Sequence, residues 1–127
     1  MARSAASHGT QRRQRHHRRG IVAEYLAAAW LLLKGYRLLA HRYKTPVGEI
    51  DLIVQRGQTL VFVEVKARAT ASSAAESIHL TNQQRVVRAA QMYLHAHPKL
   101  QNSSIRFDAV LISCYRFPHH MTHAFTA

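Results

Sequence analysis

Acidic side chains are scarce in this chain. Only six of its 127 residues are Asp or Glu, against 18 Lys and Arg, so the net charge is +12 with histidine neutral. Such a surplus points to a polyanionic partner, because neutralising phosphates releases counterions and drives binding whatever the base sequence. Cysteine is nearly absent: Cys114 stands alone, which excludes an internal disulfide and fits a reducing compartment. Long apolar runs are missing too. The stretch that contains Ala27 to Leu33 falls far short of the roughly 20 residues of a bilayer span. The Arg- and His-rich start has no apolar stretch of the signal-peptide kind, and the expected setting is cytoplasmic, with no membrane contact. What the chain does have is 47% hydrophobic residues, enough for one modest core and too many for disorder throughout.

Residues 1–20 hold six arginines and no acid, and read as a disordered basic arm. Residues 21–116 read as one domain, and 117–127 as a ragged, His-rich tail. Within the domain, Val22, Leu26, Ala29, Trp30 and Leu33 recur at helical steps and Gly35 follows as a C-terminal cap, which predicts a first helix over 21–34. Tyr36 to Arg42 is strand-like, and Thr45-Pro46-Val47-Gly48 marks a turn. Glu49–Val54 and Leu60–Lys66 are β-branched and apolar about the Arg56–Thr59 turn, and predict a hairpin. Residues 69–80 have no clear period and read as a loop. A second helix is expected from Thr81, with Gln84 in capping-box spacing, to Pro98, and a last strand from Arg106 to Ser113. The order α-β-β-β-α-β gives an α/β or α+β domain, a mixed sheet flanked by helices.

The few acids carry the chemistry. Glu49, Asp51 and Glu64 lie in the most apolar part of the chain, where a solvated surface would not put them. A hairpin centred on Gly57 and Gln58 sets Asp51 opposite Glu64 and Glu49 opposite Lys66. Two carboxylates facing each other across strands destabilise a sheet unless a cation or proton intervenes. Mg²⁺ fits, being held by one or two carboxylates and completed by water and substrate phosphate. Lys66 would then orient or deprotonate the attacking water, or offset charge on the phosphate.

Gly48-Glu49-Ile50-Asp51-Leu52-Ile53, followed by Val61-Phe62-Val63-Glu64-Val65-Lys66-Ala67-Arg68, resembles the signature of the YraN-like bacterial proteins, uncharacterised members of the restriction-endonuclease-like (PD-(D/E)xK) superfamily. The likeness runs from about Gly20 to Ile112. It implies a restriction-endonuclease-like core, with Asp51, Glu64 and the Val65 main chain holding Mg²⁺ or Mn²⁺ and Lys66 as the catalytic lysine. Glu24 would match the helix-borne acid of related junction resolvases, and Glu49 is a secondary candidate. The superfamily's Pro before the Asp is replaced by Ile50, and Gln83 and Gln84 open the second helix where a Lys is expected. Arg68, Arg85, Arg88 and Arg106 are candidates for a phosphate track. The resulting expectation is a nucleic-acid-binding protein and metal-dependent endonuclease acting on DNA or RNA, in recombination or repair. The alternative is a nucleic-acid-binding module that keeps the nuclease fold without catalysis. By analogy with related enzymes, a homodimer is left open.

Overall fold

The computed structural model describes residues 20–68, 80–113 and 116–126, with the side chains of 68 and 80–82 outside that set. Most of the basic arm, the 69–80 loop, Glu76, Cys114 and the Thr81 capping box therefore fall outside the described residues or side chains. The fold is α+β. Helix α1 spans residues 20–33. Strands β1 (Arg37–Thr45), β2 (Gly48–Arg56) and β3 (Thr59–Arg68) follow, then helix α2 (Leu80–Ala96), a short 3-10 turn, β4 (Ser104–Ser113) and β5 (His119–Phe125). The five strands form one mixed sheet in the order β1-β2-β3-β4-β5, antiparallel except for the parallel β3–β4 pair.

Two tight turns build the β1–β2–β3 meander. Thr45 Oγ1 accepts from the Val47 and Gly48 amides and donates to the Gly48 carbonyl, closing the first. Gly57, at φ +60°, takes the left-handed conformation that the second requires. Beyond it Arg56 pairs with Thr59, and the register holds through Gln55–Leu60, Val54–Val61 and Ile53–Phe62 to Leu52–Val63, as the hairpin centre predicts.

The sheet carries a cluster on each face. Ile50, Ile53, Leu60, Phe62 and Phe107 pack against Val86, Ala89, Ala90 and Tyr93 of α2, and Leu52, Val54, Val61, Val63 and Val110 pack against Ala27 and Leu31 of α1. Gly48 lets α2 come close, since a Cβ there would overlap the Arg85 backbone carbonyl.

Two expectations need correcting. The tail read as ragged includes strand β5, antiparallel to β4 with Val110 opposite His120 and Phe107 opposite Phe125. Its His119, His120, Thr122 and His123 give it no apolar alternation; backbone pairing, the Asp108 contacts of His120 and His123, and the Phe125 ring stacked on Phe107 in the core hold it. In α1, the periodic stripe Val22, Leu26, Ala29 and Leu33 faces away from the core. Ala23, Ala27 and Leu31 are buried, because small side chains let the helix lie close to the sheet.

Candidate functional site

The β2–β3 ladder ends at Leu52–Val63, one residue short of the expected Asp51–Glu64 pairing. β3 continues along β4, with Glu64 beside Ala109 and Lys66 beside Leu111, while β2 parts from it. The Asp51 side chain fills the opening, its Oδ2 accepting the Val65 amide hydrogen at 2.8 Å. On the other side of β2, β1 shifts register between Leu38 and Ala40 and then keeps one register through His41–Leu52 and Tyr43–Ile50. The residues between are Asp51 and Arg42, and Arg42 has φ +54°. Ile50 packs in the α2 cluster and Leu52 in the α1 cluster, although residues two apart on a regular strand share a face. The strand pair is thus irregular at Asp51, which turns that carboxylate toward α1.

Glu24, in the second turn of α1, meets it there. Glu24 is buried, and its Oε2 accepts from Arg42 Nε at 2.6 Å, with His41 Nε2 at 3.2 Å from the same oxygen. Glu64 follows Phe62 in alternation and is also buried, with Lys66 Nζ 3.3 Å from its Oε1. Lys66 therefore pairs within its own strand, and Glu49 lies across from Lys44 of β1 instead of facing Lys66.

These side chains surround a cavity of about 190 Å³ lined by Glu24, Glu49, Asp51, Glu64, Val65 and Lys66, with Gly20, Ala23, Ala67 and Val86 completing its walls. Four of the chain's six acids stand around one small space. A neighbouring hollow of about 150 Å³ shares Glu24, Glu49 and Asp51 and adds Arg42, Lys44 and Ile50.

Crowding of like charge shows in Asp51. Its carboxyl is pushed up to about 7, first by burial and then by the charges of Glu24 and Glu64 and a hydrogen bond with Glu24, against the opposing pull of the Val65 amide. A cation in the cavity would reverse that balance. Among the described residues no group of three or more His, Cys, Asp or Glu side chains is placed to hold a metal ion. A hard divalent ion needs only one or two carboxylates, however, and buried carboxylates under mutual repulsion are the donor chemistry it takes. On that ground Asp51 and Glu64 fit the group.

The proposed phosphate track divides. Arg85 and Arg88 are exposed on α2; Arg85 precedes Val86 of the cavity wall, Arg88 lies about 200° round the helix from it, and the Arg68 side chain lies outside the described residues. Arg106 is elsewhere. It forks onto Asp108 with two 2.8 Å hydrogen bonds and also donates to the Tyr36 hydroxyl. Asp108 is fully buried and further accepts from His120 Nε2 at 2.6 Å and the His123 amide at 3.1 Å, while Lys34 Nζ donates to His120 Nδ1 at 2.6 Å. Arg106 is thus part of the frame of the sheet. The residues missed by sequence reasoning are His41 and Arg42, since a strand carrying AHRYK has no mark of a left-handed arginine turned onto a buried glutamate.

Residues 23–112 match the model of the family described as Uncharacterised protein family UPF0102. The chain is similar to a UPF0102 protein of Nitrobacter winogradskyi, 50% identical over 85% of this chain and 92% of the relative. It is also similar to UPF0102 proteins of Rhodopseudomonas palustris strain BisB18, 49% identical over 99% of this chain and 94% of the relative, and of Methylorubrum extorquens strain PA1, 50% identical over 90% and 89%. The matched span runs from the turn of α1 that bears Glu24 through β4, and so contains every wall of the cavity except Gly20.

Proposed function

The chain belongs to the UPF0102 family, and we propose that it is a metal-dependent nuclease of the restriction-endonuclease-like kind, hydrolysing phosphodiester bonds of DNA or RNA. The observation that carries this reading is the collection of four of six acids, with one lysine, around a cavity in a chain of net charge +12. Glu24 and Glu64 each have a cation beside them, but among the described residues Asp51 has a backbone amide as its donor and two carboxylates as neighbours.

In this reading Asp51 and Glu64 hold Mg²⁺ or Mn²⁺, with the Val65 main chain beside them. A bound ion of that kind polarises a phosphoryl oxygen. Lys66, half-buried at the cavity wall, stabilises the charge that builds on the phosphate as water adds to phosphorus and the ester oxygen leaves. Glu24 is a positioning residue fixed by Arg42 and His41, and Glu49 lies at the exposed rim. Arg85, next to Val86 of the cavity wall, meets the backbone of the polyanion, and Arg88 extends that contact along α2 away from the cavity.

The test is cleavage of labelled single-stranded, duplex and four-way-junction DNA and of structured RNA, with Mg²⁺ or Mn²⁺, by wild type, Asp51→Asn and Lys66→Ala. Expected is cleavage of at least one substrate class, lower by about a hundredfold or more in both variants, with substrate binding retained. Binding by all three proteins with no cleavage by wild type would overturn the catalytic reading and leave a binding module.

A further inference from the structure

The outer face of α1 is apolar and exposed, which a solvated helix in a basic protein does not need. Tyr25 is 63% exposed, Leu33 83%, and Val22, Leu26 and Leu32 between 50% and 57%. Phe117, 81% exposed, extends the patch through its ring contact with Trp30 at 5.7 Å between centroids. Those six side chains expose on the order of 700 Å², above the apolar patch of a typical monomer and close to the roughly 800 Å² per partner of a standard interface.

The order of residues says what covers it. The stripe is symmetric about Ala29, with Leu26 and Leu32 three residues to either side, Tyr25 and Leu33 four, and Val22 seven before it. Two copies of the helix related by a two-fold axis at Ala29, running antiparallel, set Leu26 against Leu32 and Tyr25 against Leu33, and the small side chain at the centre allows close approach. Charge agrees. Among the described residues of helix α1 there is one charged side chain, Glu24, and it is turned inward. In a chain of net charge +12 this is a face that a second copy can approach without bringing like charges into contact.

We propose that the outer face of α1 is the contact surface for a second copy of this chain, giving an antiparallel two-fold dimer centred on Ala29. Glu24 points from the opposite side of the same helix into the acidic cavity, so each copy keeps its own site open.

The test is the molar mass of the full chain in a dilution series at low and high salt. Expected is a dimer that dissociates on dilution, tightens as salt screens the repulsion between two basic chains, and is weakened about a hundredfold or more by Leu26→Glu together with Leu32→Glu. Both side chains are already exposed, so the far-ultraviolet circular dichroism of the variant should match wild type, and its melting curve should match that of wild type diluted to monomer. Ala29→Cys in a Cys114→Ser background should form a disulfide-linked dimer under mild oxidation, which locates the axis. A wild type that stays monomeric at every concentration would overturn the proposal, as would a dimer indifferent to the double substitution. A monomer that binds phosphatidylglycerol vesicles through this face, more weakly as salt rises, would overturn it in favour of a lipid surface.

Discussion

Two aspartates of this sheet have opposite surroundings. Asp108 of β4 is fully buried and accepts four hydrogen bonds from Arg106, His120 and the His123 amide. Burial pushes its carboxyl up, but the His120 and Arg106 hydrogen bonds, the Arg106 charge and the His123 amide outweigh burial and hold it below the usual carboxylate value. Asp51 of β2 has one amide donor and two carboxylates for neighbours, and is pushed up to about 7. In a chain with three times as many cations as acids, Asp108 has its counter-charge in Arg106, whereas among the described residues no cation hydrogen-bonds Asp51. The first arrangement joins β4 to β5 and to Tyr36. On the proposed reading, the second spends stability to keep carboxylates ready for a cation, which is how a functional acid differs from a structural one.

The contrast breaks most visibly under substitution. Asp108→Asn should destabilise the fold by about 3–5 kcal/mol in chemical denaturation, because it strands the Arg106 guanidinium, whereas Asp51→Asn removes a repulsion and should leave stability unchanged or raise it. Equal losses at the two positions would end the distinction. Metal addition sharpens it next. Mn²⁺ or Mg²⁺ at about a hundred times its dissociation constant should stabilise wild type by about 2.7 kcal/mol, seen as a raised melting temperature, and leave Asp51→Asn unmoved.

A third effect is in pH. Between the unfolded value of 3.8 and about 7, the folded state holds a proton at Asp51 that the unfolded state has lost. Stability from this group is therefore present below 3.8 and declines as pH rises toward 7. Asp108 does the reverse, its contribution being present above 3.8 and lost as acid reaches its lower folded value. Denaturation across pH 4 to 7 should show a declining component in wild type that Asp51→Asn abolishes, and a slope unchanged by that substitution would remove the frustrated carboxylate.

Much of this could be read from residues alone, for reasons that also mark where reading fails. The Gly57 turn fixes the β2–β3 register, so the approach of Asp51, Glu64 and Lys66 followed from strand alternation. Alternation then misplaces what lies past Leu52, where the strands part and Asp51 turns toward Glu24, because a splayed ladder has no period. Strand β5 was hidden since its histidines pair through the backbone and through Asp108. In α1 the periodicity was real and its direction was not. Two apolar stripes share that helix, Ala23, Ala27 and Leu31 on one side and Val22, Leu26 and Leu33 on the other, and nothing in a hydrophobic period says which one meets the sheet.

At Gly48, β2 and α2 are separated by the width of a hydrogen atom. Asp51 lies three residues along that strand and Val86 one residue past Arg85 along that helix, so the contact is a datum from which two walls of the cavity are measured. A side chain at position 48 would press on the α2 backbone and so on the Val86 wall. One side of the chamber is therefore spaced by a residue that has no functional group of its own.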